Sequence, residues 1–180
     1  MLKEKEIILG VTGSIAAYKA AEIASKLVQS KANVTVVMTA CATKFVTPLT
    51  FQSISRNRTL VDMFDLEYEC SPKHIALADK ADLLLIAPAT ANIIGKIASG
   101  IADDLLSTLA MSVKCPIMIA PAMNVNMYNN KLVQKNIAFL KKEGYKFIDP
   151  ETGYLACGAN GQGRLAAIET IIKKVTSILA

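Results

Sequence analysis

Two stretches constrain the fold more than any other: DLLLIAPAT at 82–90 and CPIMIAPAM at 115–123. Each is apolar at odd and even positions alike. A strand with one wetted face alternates apolar with polar residues, so a strand apolar on both sides must be covered on both. A parallel sheet between two helical layers provides that cover. EIILGVTG at 6–13 and the β-branched NVTVVMT at 33–39 extend the set, with a short strand expected at 59–61 and a last one in YKFIDP at 145–150. Helical patterns fill the intervals. SIAAYKAAEIASKLVQS takes Ser14 as its N-cap, TPLTFQSIS opens on Thr47-Pro48, and HIALADKA is brief. NIIGKIASGIADDLLSTLAMS reads as one helix despite Gly95 and Gly100, KLVQKNIAFLKKEG closes on Gly144, and RLAAIETIIKKVTSIL ends the chain. The predicted fold class is therefore α/β: a doubly wound, mainly parallel six-stranded sheet in a flavodoxin/Rossmann-like three-layer sandwich, one domain over 1–180.

Composition removes several function classes. The net charge of +5 comes from lysines that are mostly scattered, paired only at Lys141-Lys142 and Lys173-Lys174, and there is no Trp, so nucleic-acid binding is not expected. No apolar run reaches the ~18 residues of a membrane span, and MLKEKEIILG carries no secretion signal. Cys41, Cys70, Cys115 and Cys157 are far apart, and His74 is the lone histidine. That spacing argues against a metal site and for a reducing, cytoplasmic setting. Apolar residues make up 52% of the chain, high for a soluble monomer. Sheet burial on both faces, subunits covering one another, or both would account for it.

Ligands of doubly wound sheets bind beyond the carboxyl ends of the strands. There the chain places GVTGSI, MTACATKF, APATAN and APAMNVNMY. In GVTGSIAAYK, Gly10 and Gly13 permit a tight turn, and the amides of Gly13, Ser14 and Ile15 can receive a phosphate. The pattern is neither GxGxxG nor GxxxxGK[ST], which leaves a mononucleotide phosphate such as that of FMN, or an ordinary strand-to-helix turn. The two proline loops carry Asn92 and Asn124, each with a donor and an acceptor in one rigid amide, or each simply capping a turn. His74 begins a helix, where the dipole disfavours protonation and suits a base, although a lone histidine is more often a surface or capping residue. YLACGANGQGRL sets Cys157 among Gly158, Gly161 and Gly163, a mobile segment in which Arg164 can bind a carboxylate or phosphate or cap the following helix.

Taken in order, GVTGSIAAYKA, VMTACATKFVTPLTFQ, HIALADKADLLLIAPATANIIGKIASGIADDLLST, PAMNVNMY and ACGANGQGRL resemble the flavin-dependent cysteine decarboxylases, in particular their coenzyme A branch. The resemblance covers essentially the whole chain. It implies FMN held by Gly13, Ser14, Ile15, Thr39, Phe45, Pro88, Thr90, Ala91, Asn92 and Ala122. It implies a small-molecule substrate, 4′-phosphopantothenoylcysteine, contacted by Asn124, Met127, Ala156, Gly158 and Arg164, and catalysis by His74, Asn124 and Cys157. The implied reaction oxidises the substrate thiol to a thioaldehyde, loses CO₂ with C=S as the electron sink, and re-reduces the aminoenethiolate. His74 would act as base, Asn124 would hold the carboxylate, and Cys157 would deliver the last proton from a closing lid. The implied assembly is a homotrimer, or a dodecamer built of such trimers, with the flavin between two subunits. Tyr128 stands where the family usually has Trp. Many bacterial relatives continue into a ligase domain, and this sequence stops after the last helix, so the resemblance is to the decarboxylase half. Three other readings share the fold: a decarboxylase of C-terminal peptide cysteines, a non-catalytic flavoprotein that regulates a phosphatase, and a flavin prenyltransferase.

Overall fold

The computed structural model describes residues 2–64, 73–156 and 158–180. Strands β1 (Glu6–Val11), β2 (Asn33–Met38), β3 (Leu83–Ala89), β4 (Ile117–Pro121) and β5 (Lys146–Phe147) form one sheet in the order β2-β1-β3-β4-β5, parallel at every pairing. The helices are α1 (Ala17–Gln29), α2 (Pro48–Ser55), α3 (Lys73–Lys80), α4 (Ala91–Ala98), α5 (Leu105–Ser112), α6 (Val125–Tyr128), α7 (Lys131–Lys142) and α8 (Ile168–Leu179).

Alternating side chains of the same strands feed two separate cores. Ile7, Leu9 and Val11 of β1 and Leu83, Leu85 and Ala87 of β3 pack with α1, Phe51 of α2 and α8 on one face. Ile8 of β1 and Leu84 and Ile86 of β3 pack with α4, α5 and α7 on the other. Every residue of β3 is buried, which is why its sequence shows no alternation. The expected three-layer parallel architecture is the one observed.

Its details differ from the expectation at five places. The strand expected at 59–61 shrinks to a single parallel bridge between Val37 and Leu60, leaving five strands in the sheet. The Leu60 amide donates to Val36 O at 2.9 Å, and the chain then turns away as Asp62 accepts from the Phe64 amide. The long helix expected over 92–112 is two helices. Gly100, with φ of 68°, ends the first. Asp104 starts the second by accepting from the Ser107 amide at 2.8 Å in a full capping box. Lys96 closes the break, with Nζ at 2.6 Å from Asp103 and 2.7 Å from Asp104. Ser14 does not cap α1; the helix begins at Ala17, and Ser14 Oγ instead accepts from the Ala16 amide at 3.3 Å inside the preceding turn. The last strand of the sheet keeps only two residues, Lys146–Phe147. The glycine-rich stretch read as a mobile loop is largely a separate antiparallel hairpin, β6 (Glu151–Tyr154) with β7 (Asn160–Arg164), so Arg164 lies in a strand and α8 begins later, at Ile168.

Candidate functional site

The strand order reverses between β1 and β3, and their carboxyl ends are fastened together there. The Thr12 hydroxyl donates to the Pro88 carbonyl at 2.7 Å and accepts from the Thr90 amide at 3.0 Å. Thr12 is buried, so this pairing satisfies a polar group that would otherwise be costly to desolvate. Thr90 then caps α4 by accepting from the Ile93 amide. On the next strand, Met123 donates its amide to Gly163 O at 2.9 Å, joining the end of β4 to the hairpin. A crevice opens beyond these ends, at the position where a doubly wound sheet takes its ligand.

The cavity there measures about 840 Å³, inside the range of small-molecule sites, ~300–1,000 Å³. The β1–α1 turn supplies Gly13, Ser14 and Ile15 to its wall, and Thr90 and Ala122 come from the ends of β3 and β4. Asn124 and Met127 come from α6 and its cap, and Ala156 and Arg164 from the hairpin. The fold thus brings together nine residues predicted for a cofactor or substrate site. Of the remaining predicted residues, six do not line the cavity. Thr39 holds the adjoining turn, its hydroxyl accepting from the Ala42 amide at 3.3 Å. Phe45 ends that turn and is exposed. Pro88 gives its carbonyl to Thr12, and Ala91 and Asn92 start α4 behind Thr90. Gly158 donates to Leu155 O at 2.9 Å in the hairpin tip. His74 is the second residue of α3, and no described residue of α3 lines the cavity. The His74 side chain and Cys157 lie outside the described residues.

Sequence reasoning missed Tyr18, Lys19, Met123, Tyr154, Leu155 and Gly163, all of which line the cavity. The signal for Tyr18 and Lys19 was present, since both sit in the first turn of a helix whose start faces the cavity. Those of the hairpin could not be found while it was read as a loop.

The wall chemistry is one-sided. Lys19 and Arg164 line the cavity, and among the described residues no acidic side chain does. Lys19 is half-buried, and Arg164 extends over Gly153 across the hairpin. The Ser14 amide is already donated to Thr12 O at 2.8 Å. The amides of Gly13 and Ile15 have no partner among the described residues, and the Ser14 hydroxyl, which accepts from Ala16, keeps its proton to donate. Two amides, a hydroxyl and two cations in a largely apolar, acid-free cavity fit a flat ring system carrying an anionic tail. Asn124 is the N-cap of α6. Its Oδ1 accepts from the Asn126 amide at 2.8 Å, which fixes the plane of the carboxamide. Tyr128 is buried beneath, and burial, with the charge of Asp149 adding to it, pushes its phenol above the usual value. It therefore remains neutral and fills core volume, as a Trp would.

These features agree with what the chain is similar to. The Flavoprotein family model matches residues 1–180. The coenzyme A biosynthesis bifunctional protein CoaBC of Bacillus subtilis (strain 168) is 51% identical over 173 residues, 96% of this chain and 43% of that protein. The chain thus spans somewhat less than half the length of that bifunctional relative. A probable phosphopantothenoylcysteine decarboxylase of Streptococcus mutans serotype c is 46% identical over 173 residues, covering 95% of this chain and 97% of that one. Among solved structures, a PPC decarboxylase mutant complexed with pantothenoylaminoethenethiol superimposes with a TM-score of 0.87 at 29% identity, over 97% of this chain and 98% of that one. On the family model, the two relatives and the shared fold, the chain belongs to the Flavoprotein family.

Proposed function

We propose that this chain is an FMN-dependent carboxy-lyase that converts 4′-phosphopantothenoylcysteine to 4′-phosphopantetheine in coenzyme A biosynthesis, in the cytoplasm. The observation that carries the reading is the cavity at the β1/β3 switch point, free of acidic side chains among the described residues, which joins an amide-lined anion turn to a fixed carboxamide at Asn124. The similarity of the whole chain to a phosphopantothenoylcysteine decarboxylase supports the substrate.

When bound, the flavin supplies a two-electron acceptor that returns the pair at the end of the cycle, which a protein alone cannot do. The amides of Gly13 and Ile15 and the Ser14 hydroxyl hold the cofactor phosphate. Thr90 and Ala122 are small enough to let a ring approach the strand ends. The Asn124 carboxamide holds the substrate carboxylate in the orientation from which CO₂ leaves, and a neutral amide does so without repelling it. His74 takes the thiol proton in the oxidative half. The thioaldehyde then stands β to the carboxylate and accepts the electrons as the C–C bond breaks. Cys157 protonates the resulting enethiolate carbon in the reductive half. Leu155 of the hairpin, itself buried, walls the cavity from water during these steps. An enethiol is the ligand of the solved PPC decarboxylase mutant, and an enethiol is the product expected here when the last proton transfer is blocked.

We infer further that the working unit is a homotrimer or a dodecamer built of such trimers. Ile15 and Tyr18 at the cavity mouth, with Phe45 and Leu49 on adjoining elements, are all exposed. That face calls for cover, which a neighbouring copy would supply. The test is to purify the protein, record its visible spectrum, and supply either 4′-phosphopantothenoylcysteine or a peptide with a C-terminal cysteine. Flavin absorbance with CO₂ released from the first substrate alone is expected. Release from the peptide alone assigns the peptide branch, and a colourless, inert protein rejects the proposal.

A further inference from the structure

The two faces of the site that handle the substrate, the Asn124 turn and the hairpin, are not independent. We infer that Gly161 and Val125 form a positioning contact through which strand β7 sets the place of the Asn124 carboxamide; this rests on the reading of Asn124 as the group that holds the substrate carboxylate.

The residues flanking Asn124 both meet β7. On one side the Met123 amide donates to Gly163 O at 2.9 Å. The fit is close enough that a Cβ on Gly163 would stand 2.3 Å from Met123 O and 3.6 Å from the Asn124 carbonyl carbon. On the other side a Cβ on Gly161 would stand 2.7 Å from Val125 Cγ2 and 3.3 Å from its Cβ. Val125 is the first residue of α6 and Asn124 is its cap, so a shift of Val125 moves the cap. The carboxamide cannot compensate by rotating alone, because its Oδ1 is held by the Asn126 amide at 2.8 Å. The glycines of this strand therefore provide close approach rather than the mobility their number suggests. β7 also continues from the tip that carries Ala156, a residue of the cavity wall, so displacement of the hairpin is transmitted to the carboxylate end of the substrate. Neither Gly161 nor Val125 lines the cavity; they act through Asn124.

The test separates the carboxylate from the rest of the ligand. Two probes are titrated into flavin-loaded enzyme by calorimetry: 4′-phosphopantothenoylalanine, which keeps the carboxylate but has no thiol, and the 4′-phosphopantothenoyl ethylamide, which has neither. Gly161→Ala is expected to weaken the alanine probe by about tenfold, the scale of a modest overpacking strain. It is expected to leave the ethylamide probe and the flavin content unchanged. Moving the methyl across the contact, in Gly161→Ala with Val125→Ala, is expected to restore most of the lost affinity. Equal weakening of both probes, no weakening of either, or no rescue overturns the inference. If Gly161→Ala alone yields no folded protein, Val125→Ala carries the test by loosening the same contact. It must weaken the alanine probe selectively, by about threefold, and an equal effect on both probes overturns the inference. Asn124→Ala is the control on the underlying reading. If it binds the alanine probe as tightly as wild type, Asn124 does not hold the carboxylate and that reading fails first. If it loses that probe while Gly161→Ala does not, the positioning contact alone is wrong.

Discussion

Gly10 and Gly13 lie three positions apart in one motif, yet an added methyl meets different things at each. At Gly10 the nearest atom is Leu106 Cδ1 at 2.6 Å, the far end of a side chain that can turn aside. At Gly13 it is Cys41 Cβ at 2.5 Å with the Cys41 carbonyl carbon at 3.2 Å, and a main chain cannot yield so easily. Gly13→Ala should therefore displace the turn that offers the Gly13 and Ile15 amides. The expected cost is about 1–3 kcal/mol of stability together with loss of bound flavin. Gly10→Ala should keep its flavin; thermal melts and the flavin-to-protein absorbance ratio of the two variants decide the point. Asn124→Asp sets a negative charge against the substrate carboxylate and should abolish CO₂ release while flavin binding persists, measured as CO₂ evolved by flavin-loaded protein. Ordinary turnover by that variant would show that the carboxylate is held elsewhere. Cys157→Ser should still release CO₂ but stop at a product lighter than 4′-phosphopantetheine by two hydrogens, which mass spectrometry of the products detects.

Among the elements, the join between α4 and α5 carries the clearest electrostatic signature. Burial alone would raise the Asp104 carboxyl, but the Lys96 ammonium and the Ser107 donors outweigh it and hold the group below its ordinary value of 3.8. A carboxyl depressed by folding stabilises the folded state fully above the ordinary carboxylate range. That stability is lost as pH falls through the ordinary value toward the folded one. Burial would lower Lys96, but Asp103 and Asp104 more than compensate and raise it, so its contribution is complete at neutral and acid pH and fades only in strong alkali. Asp104→Asn keeps an oxygen for the α5 cap and loses the charge. Its melting temperature should fall less steeply than that of wild type as pH drops through the carboxylate range. Lys96→Met should cost about 1–2 kcal/mol at neutral pH, between the values for exposed and buried pairs. Parallel acid-titration curves for wild type and Asp104→Asn would remove this pair from the stability of the join. The same join shows why one long helix was not legible as two. The apolar period runs on through 92–112, and the interruption depends on Gly100 taking a left-handed conformation and on Lys96 reaching forward to two aspartates.

For the whole molecule, the exposed apolar face beside the cavity is the dominant feature. Tyr18 is 61% and Leu49 69% exposed, and both belong to helices, α1 and α2, that pack against each other. A single charge there should be tolerated by the fold and not by an assembly. Leu49→Glu is expected to lower the mass in light scattering toward that of one chain, to leave the circular dichroism unchanged, and to release flavin. A wild-type protein that already runs as a monomer with flavin bound would rule out the assembly as part of the site. No helix among the described residues is long and apolar enough to cross a membrane.

The sequence by itself determined the layers. Runs such as LLLIAPA, apolar on both parities, can be stable only as strands covered on both faces, and the alternation with amphipathic helices then sets a parallel, doubly wound order. It also placed much of the cavity, because ligand loops must lie at strand carboxyl ends and those loops are contiguous in sequence: Gly13–Ile15, Thr90, Ala122 and Asn124. Only the tertiary structure decided that 151–164 is a hairpin rather than a loop, since its strands are short, glycine-rich and half-exposed, and they carry no periodic apolar signal. Their pairing is favoured by contacts that no local pattern reports: Gly161 against Val125, and Gly163 against Met123, both from the turn and helix start that follow β4, far earlier in the chain. Such long-range close approach selects glycine for lack of a side chain, and from sequence alone that is indistinguishable from glycine selected for freedom of the backbone.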